Sequence, residues 1–178
     1  MPSYIAFLRA INLGATRKFP MSDVRAATEA AGGTGVLTHI NSGNVRLESR
    51  QRSAAAVQRS LETAYEADRG FAVPTVVLTP EELVEVARVG RALEDEFGPV
   101  GSHYVSLYDA APSVDRAAAA EARSVEGERV VVRGRAAYAM LEGNIHTSKV
   151  LVSKEFKALG TGTARTLSVL ETLATKWC

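Results

Sequence analysis

Near the N-terminus the sequence reads Tyr4-Ile5-Ala6-Phe7-Leu8-Arg9-Ala10-Ile11-Asn12-Leu13-Gly14, an apolar run that ends abruptly in a charge, an amide and a glycine. A short apolar run of this kind, bounded by polar residues, is typical of a central strand in a sheet. We therefore expect a buried strand whose far end places Arg9, Asn12 and Gly14 at one edge of that sheet.

The residues that follow predict the order β-α-β-β-α-β, the ferredoxin-like or split β-α-β arrangement. The signals are N-caps at Ser22 and Ser53, glycine C-caps at 32–33 and 70, a hairpin turn at 41–44 and a strand over 73–78 that includes Pro74. The first half is thus predicted over residues 1–79.

A connector is predicted over residues 80–99. Thr79-Pro80-Glu81-Glu82 has the pattern of a capping box, and the helix it starts leads into an acidic stretch that ends at Pro99. Residues 100–178 predict a second, similar β-α-β-β-α half with an extra C-terminal helix. Its strands fall at 103–108, 129–133 and 136–141, and its helices start near 113, 148 and 163. The predicted fold class is α+β.

Composition excludes several classes of protein. The one cysteine, Cys178, allows no intramolecular disulfide and no cysteine-based zinc cluster. No run of 18 apolar residues is present and the start lacks a secretory pattern, so we expect a cytoplasmic protein with no membrane partner.

Charge is segregated along the chain. The net charge of +1 argues against binding a polyanion by bulk electrostatics, although residues 1–59 carry eight Lys/Arg against three Asp/Glu.

The predicted topology brings two polar segments together. In an antiparallel sheet of β-α-β-β-α-β order, the exit of the first strand and the turn of the hairpin lie at the same edge. Arg and Lys supply charge suited to phosphate or carboxylate, and glycine lets the backbone approach a ligand. The candidate ligand-binding residues at this edge are Arg9, Asn12, Gly14, Lys18, Ser42, Gly43 and Asn44. Ser-Gly-Asn is also a common turn sequence, so a purely structural role for the turn stays open.

Familiar catalytic motifs are missing. Gly14-Ala15-Thr16-Arg17-Lys18 lacks the second glycine and the Ser/Thr of a phosphate-binding loop, and no dinucleotide or hydrolase motif follows a strand. His39, His103 and His146 are scattered, with no carboxylate or second histidine at ligand spacing, so we expect structural or surface roles. We predict no metal, no cofactor and no identifiable catalytic residue.

Several segments resemble the bacterial family of domain of unknown function (DUF) 1697. They are residues 8–14, 18–21 and 40–45, and, later, 148–150, 159–160 and 163–166. The resemblance covers nearly the whole chain and implies a two-part α+β fold, without an activity. The chain departs from the family where it has Ala10 in place of the usual glycine, and Thr166-Leu167 in place of Asn-Trp.

Three functions follow as hypotheses. The leading one is a binding protein for a small anionic ligand, with phosphate as a candidate group, in which Lys149 and Arg165 contribute from the second half. The alternative is a nucleic-acid-associated protein that uses the basic first 59 residues. An enzyme of unrecognised type is the third.

Overall fold

The structure, a computed structural model, describes residues 1–98 and 100–178 and divides into two compact units. The first unit contains residues 1–83 and Trp177, and the second contains residues 84–176 and Cys178. Each unit has one four-stranded antiparallel sheet, which confirms the predicted α+β class. No helix in the described residues is long and apolar enough to cross a membrane.

The first unit follows the predicted order, with strands arranged β2-β3-β1-β4 across its sheet. Its elements are β1 (Ser3–Leu8), α1 (Met21–Ala30), β2 (Thr34–His39), β3 (Asn44–Glu48), α2 (Ala54–Arg69) and β4 (Thr75–Leu78). Pro74 stands just before β4, where its missing N–H breaks no ladder bond.

The opening apolar run is a central strand, as predicted. β1 pairs with β3 on one side and β4 on the other, with Ile5 opposite both Arg46 and Leu78. Residues 4–8 are all buried: Tyr4, Ala6 and Leu8 belong to the core cluster on the face that α1 and α2 cover, and Ile5 and Phe7, on the opposite face, are buried as well. This packing fixes the point at which the chain leaves the sheet after Leu8.

Capping residues set the ends of α2 where the sequence placed them, whereas the N-cap predicted at Ser22 was wrong: α1 begins at Met21 after Pro20, and Ser22 lies in its first turn. Ser53 Oγ accepts a hydrogen bond from Ala56 N, and Gly70 ends α2 with a φ of 72°. At the start of α3 (Pro80–Phe97), Thr79 N donates to Glu82 Oε2 at 2.8 Å and Glu82 N donates to Thr79 Oγ1 at 3.2 Å, a capping box. The acidic residues predicted as connector form the last turns of α3, while Pro99 lies outside the described residues.

The second unit contains a strand that the sequence analysis missed. Its elements are β5 (Ser102–Leu107), α4 (Val114–Glu121), β6 (Glu128–Arg133), β7 (Ala136–Leu141), a 3₁₀ turn (Ile145–Thr147), α5 (Lys154–Lys157), β8 (Thr163–Thr166) and α6 (Leu167–Trp177). The sheet order is β6-β7-β5-β8, so it matches the first sheet position by position.

Two predictions for the second half were therefore wrong. The last helix does not start at Thr163, because residues 163–166 pair with β5 and alternate between buried and less buried positions. The helix predicted from Ser148 is confined to Lys154–Lys157, with Ser153 as N-cap. Glu128 accepts hydrogen bonds from the backbone of Lys149 and Val150 and from Ser148 Oγ, which holds residues 148–150 as a loop.

Candidate functional site

The two segments predicted to meet do lie side by side in the first unit. We call residues 9–20 and 40–44 the edge site. Leu8 N donates to Gly43 O at 2.8 Å, and Asn12 Nδ2 donates to Asn41 O at 2.9 Å. The predicted proximity of the β1 exit and the β2–β3 turn is confirmed.

Asn12 holds the loop of the edge site in shape. Its Nδ2 also donates to Phe19 O at 2.9 Å, and its Oδ1 accepts from Phe19 N at 2.8 Å. The backbone N–H of Asn12 donates to Arg17 O. Since both amide hydrogens of the side chain are already used, Asn12 acts as a positioning residue for the loop rather than as an open donor.

Arg17 is a second brace, and it was not among the candidate residues that the sequence predicted. Its Nε donates to Ala10 O and its Nη2 to Ala72 O, both at 2.6 Å. The guanidinium also lies 4.5 Å from the centre of the Phe71 ring. These contacts fix the loop from the side of β4.

The turn residues are also used to build the site. Gly43 has a φ of 82°, and a Cβ there would lie 2.7 Å from Leu8 Cβ, so both conformation and space require glycine. Asn44 is fully buried, and its Nδ2 donates to His39 O at 2.9 Å and to Ser42 Oγ at 3.2 Å. Ser42, Gly43 and Asn44 thus form a rigid turn under the loop.

The charges of the edge site are on its surface. Arg9 and Lys18 are exposed, and neither side chain forms a hydrogen bond or ion pair with residues 1–98 or 100–178. Gly14 has a φ of 61° and open space where a Cβ would be. The edge site therefore presents two cations and an accessible backbone on a braced loop.

Backbone strain is concentrated in the same place. Within the described part of the chain, the non-glycine residues with positive φ are Ala10 (54°), Asn12 (55°), Arg17 (54°) and Ile40 (50°), and all four belong to the edge site. Such conformations persist only where the surroundings impose them, and they cluster at ligand-binding and active sites.

Lys149 and Arg165 belong to the second unit. Lys149 is exposed, and its backbone N–H donates to Glu128 Oε1 at 3.0 Å. Arg165 is buried in β8, where its Nη1 donates to Thr163 Oγ1 and Ala164 O. Burial lowers the pKa of Arg165 to about 10, which still leaves it charged at neutral pH.

One pair of titratable groups escaped the sequence analysis. His103 is buried in β5, and its Nδ1 lies 2.9 Å from Glu94 Oε2 on α3. The sequence analysis looked for carboxylates at ligand spacing and missed this partner, because the eight residues between Glu94 and His103 include the end of α3 and the start of β5. A prediction that α3 extends past Glu94, with that side chain on the face toward β5, would have indicated this pair. No group of three or more His, Cys, Asp or Glu in the described residues is arranged to hold a metal.

Comparison with known proteins identifies a family and a similar fold. The model of the family described as "Protein of unknown function (DUF1697)" matches residues 1–138. A solved structure of a conserved bacterial protein from Streptococcus pneumoniae is similar, with a TM-score of 0.72 and 19% identity over 98% of this chain and 97% of that one. At this identity the likeness shows the fold alone. No curated protein matches the sequence.

Proposed function

Because the chain belongs to the DUF1697 family, whose function is unknown, we propose from the edge site that it binds a small anionic ligand through a phosphate group. Arg9 and Lys18 supply the charge for this ligand. Ser42, Gly43 and Asn44 form the turn on which the loop rests, and Gly14 keeps the loop backbone accessible. Lys149 and Arg165 are not part of the proposed site.

The observation that carries this proposal is the concentration of strained backbone at the edge site. A solvated loop with no task would relax to ordinary φ values, since each left-handed non-glycine residue costs about 1–2 kcal/mol. Here three such residues lie between positions 10 and 17, and a fourth, the β-branched Ile40, lies in the neighbouring turn. Hydrogen bonds from Asn12 and Arg17 hold this geometry in the unliganded chain.

Preorganisation makes the two cations effective. Arginine matches a phosphate with a planar pair of N–H donors, whereas lysine acts as a point charge. A loop that is already ordered loses little conformational entropy when a ligand binds, so fewer contacts suffice for useful affinity.

A thermal-shift comparison of variants tests the proposal. Wild-type protein is measured with inorganic phosphate, sugar phosphates and nucleotides, because a ligand at a hundred times its Kd stabilises the fold by about 2.7 kcal/mol. We expect Arg9→Ala and Lys18→Ala each to lose a large part of the shift that the best of these ligands produces.

Arg50→Ala is the matched control. Arg50 is exposed and follows the end of β3 that pairs with Ser3, at the opposite end of β1 from the edge site. It removes the same charge and should keep the full shift. The proposal fails if no phosphate compound shifts the midpoint, or if Arg9→Ala and Lys18→Ala respond as Arg50→Ala does.

A further inference from the structure

The edge site uses its backbone acceptors internally and leaves backbone donors at its surface. Four carbonyl oxygens accept hydrogen bonds from Asn12 or Arg17, namely those of Ala10, Arg17, Phe19 and Asn41. Residues 13–15 are exposed, and their N–H groups form no hydrogen bond with residues 1–98 or 100–178. The exposed part of the loop therefore offers donors to a ligand that carries acceptors.

The backbone around these donors alternates in hand. The angle φ is positive at Ala10 (54°), Asn12 (55°) and Gly14 (61°), and it is not positive at Ile11 and Leu13 between them. Where two residues of opposite hand follow each other, successive N–H groups turn toward one side and form a nest, a concavity that binds anions. Leu13 and Gly14 are such a pair, so the N–H groups of residues 13–15 have the arrangement of a nest.

The charge around the nest has one sign. Residues 9–20 and 40–44 contain no Asp or Glu. Arg9 precedes the nest, and Lys18 stands between Arg17 and Phe19, whose backbones both bond to Asn12 beside the nest. Two long, exposed cationic side chains thus leave the backbone on either side of the three N–H groups. Such a surroundings favours a group with several acceptor oxygens and more than one negative charge.

We propose that the nest formed by the N–H groups of Leu13, Gly14 and Ala15 holds the three terminal oxygens of a phosphate monoester, with Arg9 and Lys18 beside it. A phosphate monoester carries about −1.5 to −2 charges at pH 7 and offers three acceptor oxygens. A phosphodiester, the linkage of nucleic acids, has a single charge and only two terminal oxygens. This selectivity rests on the function proposed above and adds to it the class of phosphate compound that the edge site takes.

Methyl phosphate and dimethyl phosphate are matched probes, because they differ by one ester methyl group. Each is titrated into the ¹⁵N-labelled chain at a pH of about 7.5, where the monoester is a dianion. We expect saturable shifts of the amide resonances of residues 13–15 with methyl phosphate. Dimethyl phosphate should bind at least about tenfold more weakly, since it lacks one charged acceptor. The amide of exposed Gly134, in the β6–β7 turn, should not move.

Ala15→Pro tests the nest itself. Proline has no N–H, and its substitution here breaks no hydrogen bond, because Ala15 N has no partner in the described residues. Ala15 is exposed and its φ is not positive, which is compatible with the φ of about −65° that proline requires. The variant should bind methyl phosphate about tenfold more weakly than wild type does. Ala15→Ser keeps the N–H and should bind as wild type does.

The outcomes separate this selectivity from the function on which it rests. If the two probes bind equally well and Arg9→Ala weakens both, the edge site binds phosphate without choosing the monoester, and only the present inference is overturned. If neither probe shifts any resonance, the proposed function fails as well. The nest assignment is also overturned if methyl phosphate binds without moving the amides of residues 13–15, a result that needs only the wild-type chain, or if Ala15→Pro binds as Ala15→Ser does.

Discussion

Ala10 has a backbone conformation that suits glycine better than alanine. Its φ of 54° lies in the left-handed region, where a residue with a Cβ is strained. The loop is held in this conformation by the hydrogen bond from Arg17 Nε to Ala10 O and by the contacts of Asn12. Glycine adopts this region without a steric penalty, so it fits position 10 better than alanine does.

Ala10→Gly should therefore stabilise the chain. Removing the Cβ from a left-handed residue stabilises the folded state by about 1–2 kcal/mol. The greater conformational freedom of glycine stabilises the unfolded state by about 0.4–1 kcal/mol, which offsets part of this gain. We expect the free energy of unfolding, measured by urea titration, to rise by about 0.5–1 kcal/mol. Ala15→Gly, in the same loop at ordinary φ, should instead lower it; equal effects of the two substitutions would contradict the explanation.

At the scale of elements, the sequence predicted what local signals determine and missed what distant residues impose. Ser53, Gly70 and the Thr79–Glu82 box act within one or two helical turns, and each was placed correctly. β8 forms because residues 163–166 pair with β5, about sixty positions earlier, and no local pattern announces such a partner. Similarly, the apolar residues at helical spacing after Ser148 favoured a helix, but the hydrogen bonds that Glu128 accepts hold residues 148–150 as a loop.

Glu128 is the residue that converts this segment into a loop. Burial alone would raise the pKa of its carboxyl, but hydrogen bonds from Val150 N, Lys149 N and Ser148 Oγ outweigh it and lower the pKa. A lowered pKa in the folded state means that the carboxylate stabilises the chain above the unfolded value of about 4.3 and that this stabilisation is lost as the pH falls through the folded value.

Glu128→Gln should destabilise the chain by about 1–2 kcal/mol at neutral pH, since bonds to a charged acceptor are replaced by bonds to a neutral one. The measurement is the free energy of unfolding of both proteins at neutral pH and below pH about 4. The difference between them should shrink in acid. Exposed Glu126→Gln serves as control and should have little effect, and a difference that does not depend on pH would rule out the proposed role of the charge.

At the scale of the whole molecule, the order of helices and strands was the most informative prediction from the sequence. The β-α-β-β-α-β order of the first half was enough to place the β1 exit beside the hairpin turn, and the resemblance to DUF1697 is confirmed. The roles of individual side chains could not be derived in the same way. Arg17 donates a hydrogen bond to Ala72 O, and Asn12 donates one to Asn41 O. Because these carbonyl groups are far away in sequence, no local residue pattern predicts them as partners.

His103 makes the stability of the chain depend on pH. Because burial lowers its pKa in the folded state, the unfolded chain binds a proton below pH about 6.5 that the folded chain does not. Stability must then fall as the pH drops below about 6.5, by at most about 1.4 kcal/mol per pH unit for one proton. This range lies well above the one in which Glu128 acts, so the two effects can be measured separately.

His103→Gln should remove this dependence on pH, since glutamine can still donate to Glu94 but does not titrate. Urea titrations from about pH 7 to about pH 5 should show a falling free energy of unfolding for wild type and a flatter profile for the variant. Exposed His146→Gln should follow the wild-type profile. A His103→Gln profile as steep as that of wild type would mean that burial of the imidazole is not the source of the pH dependence.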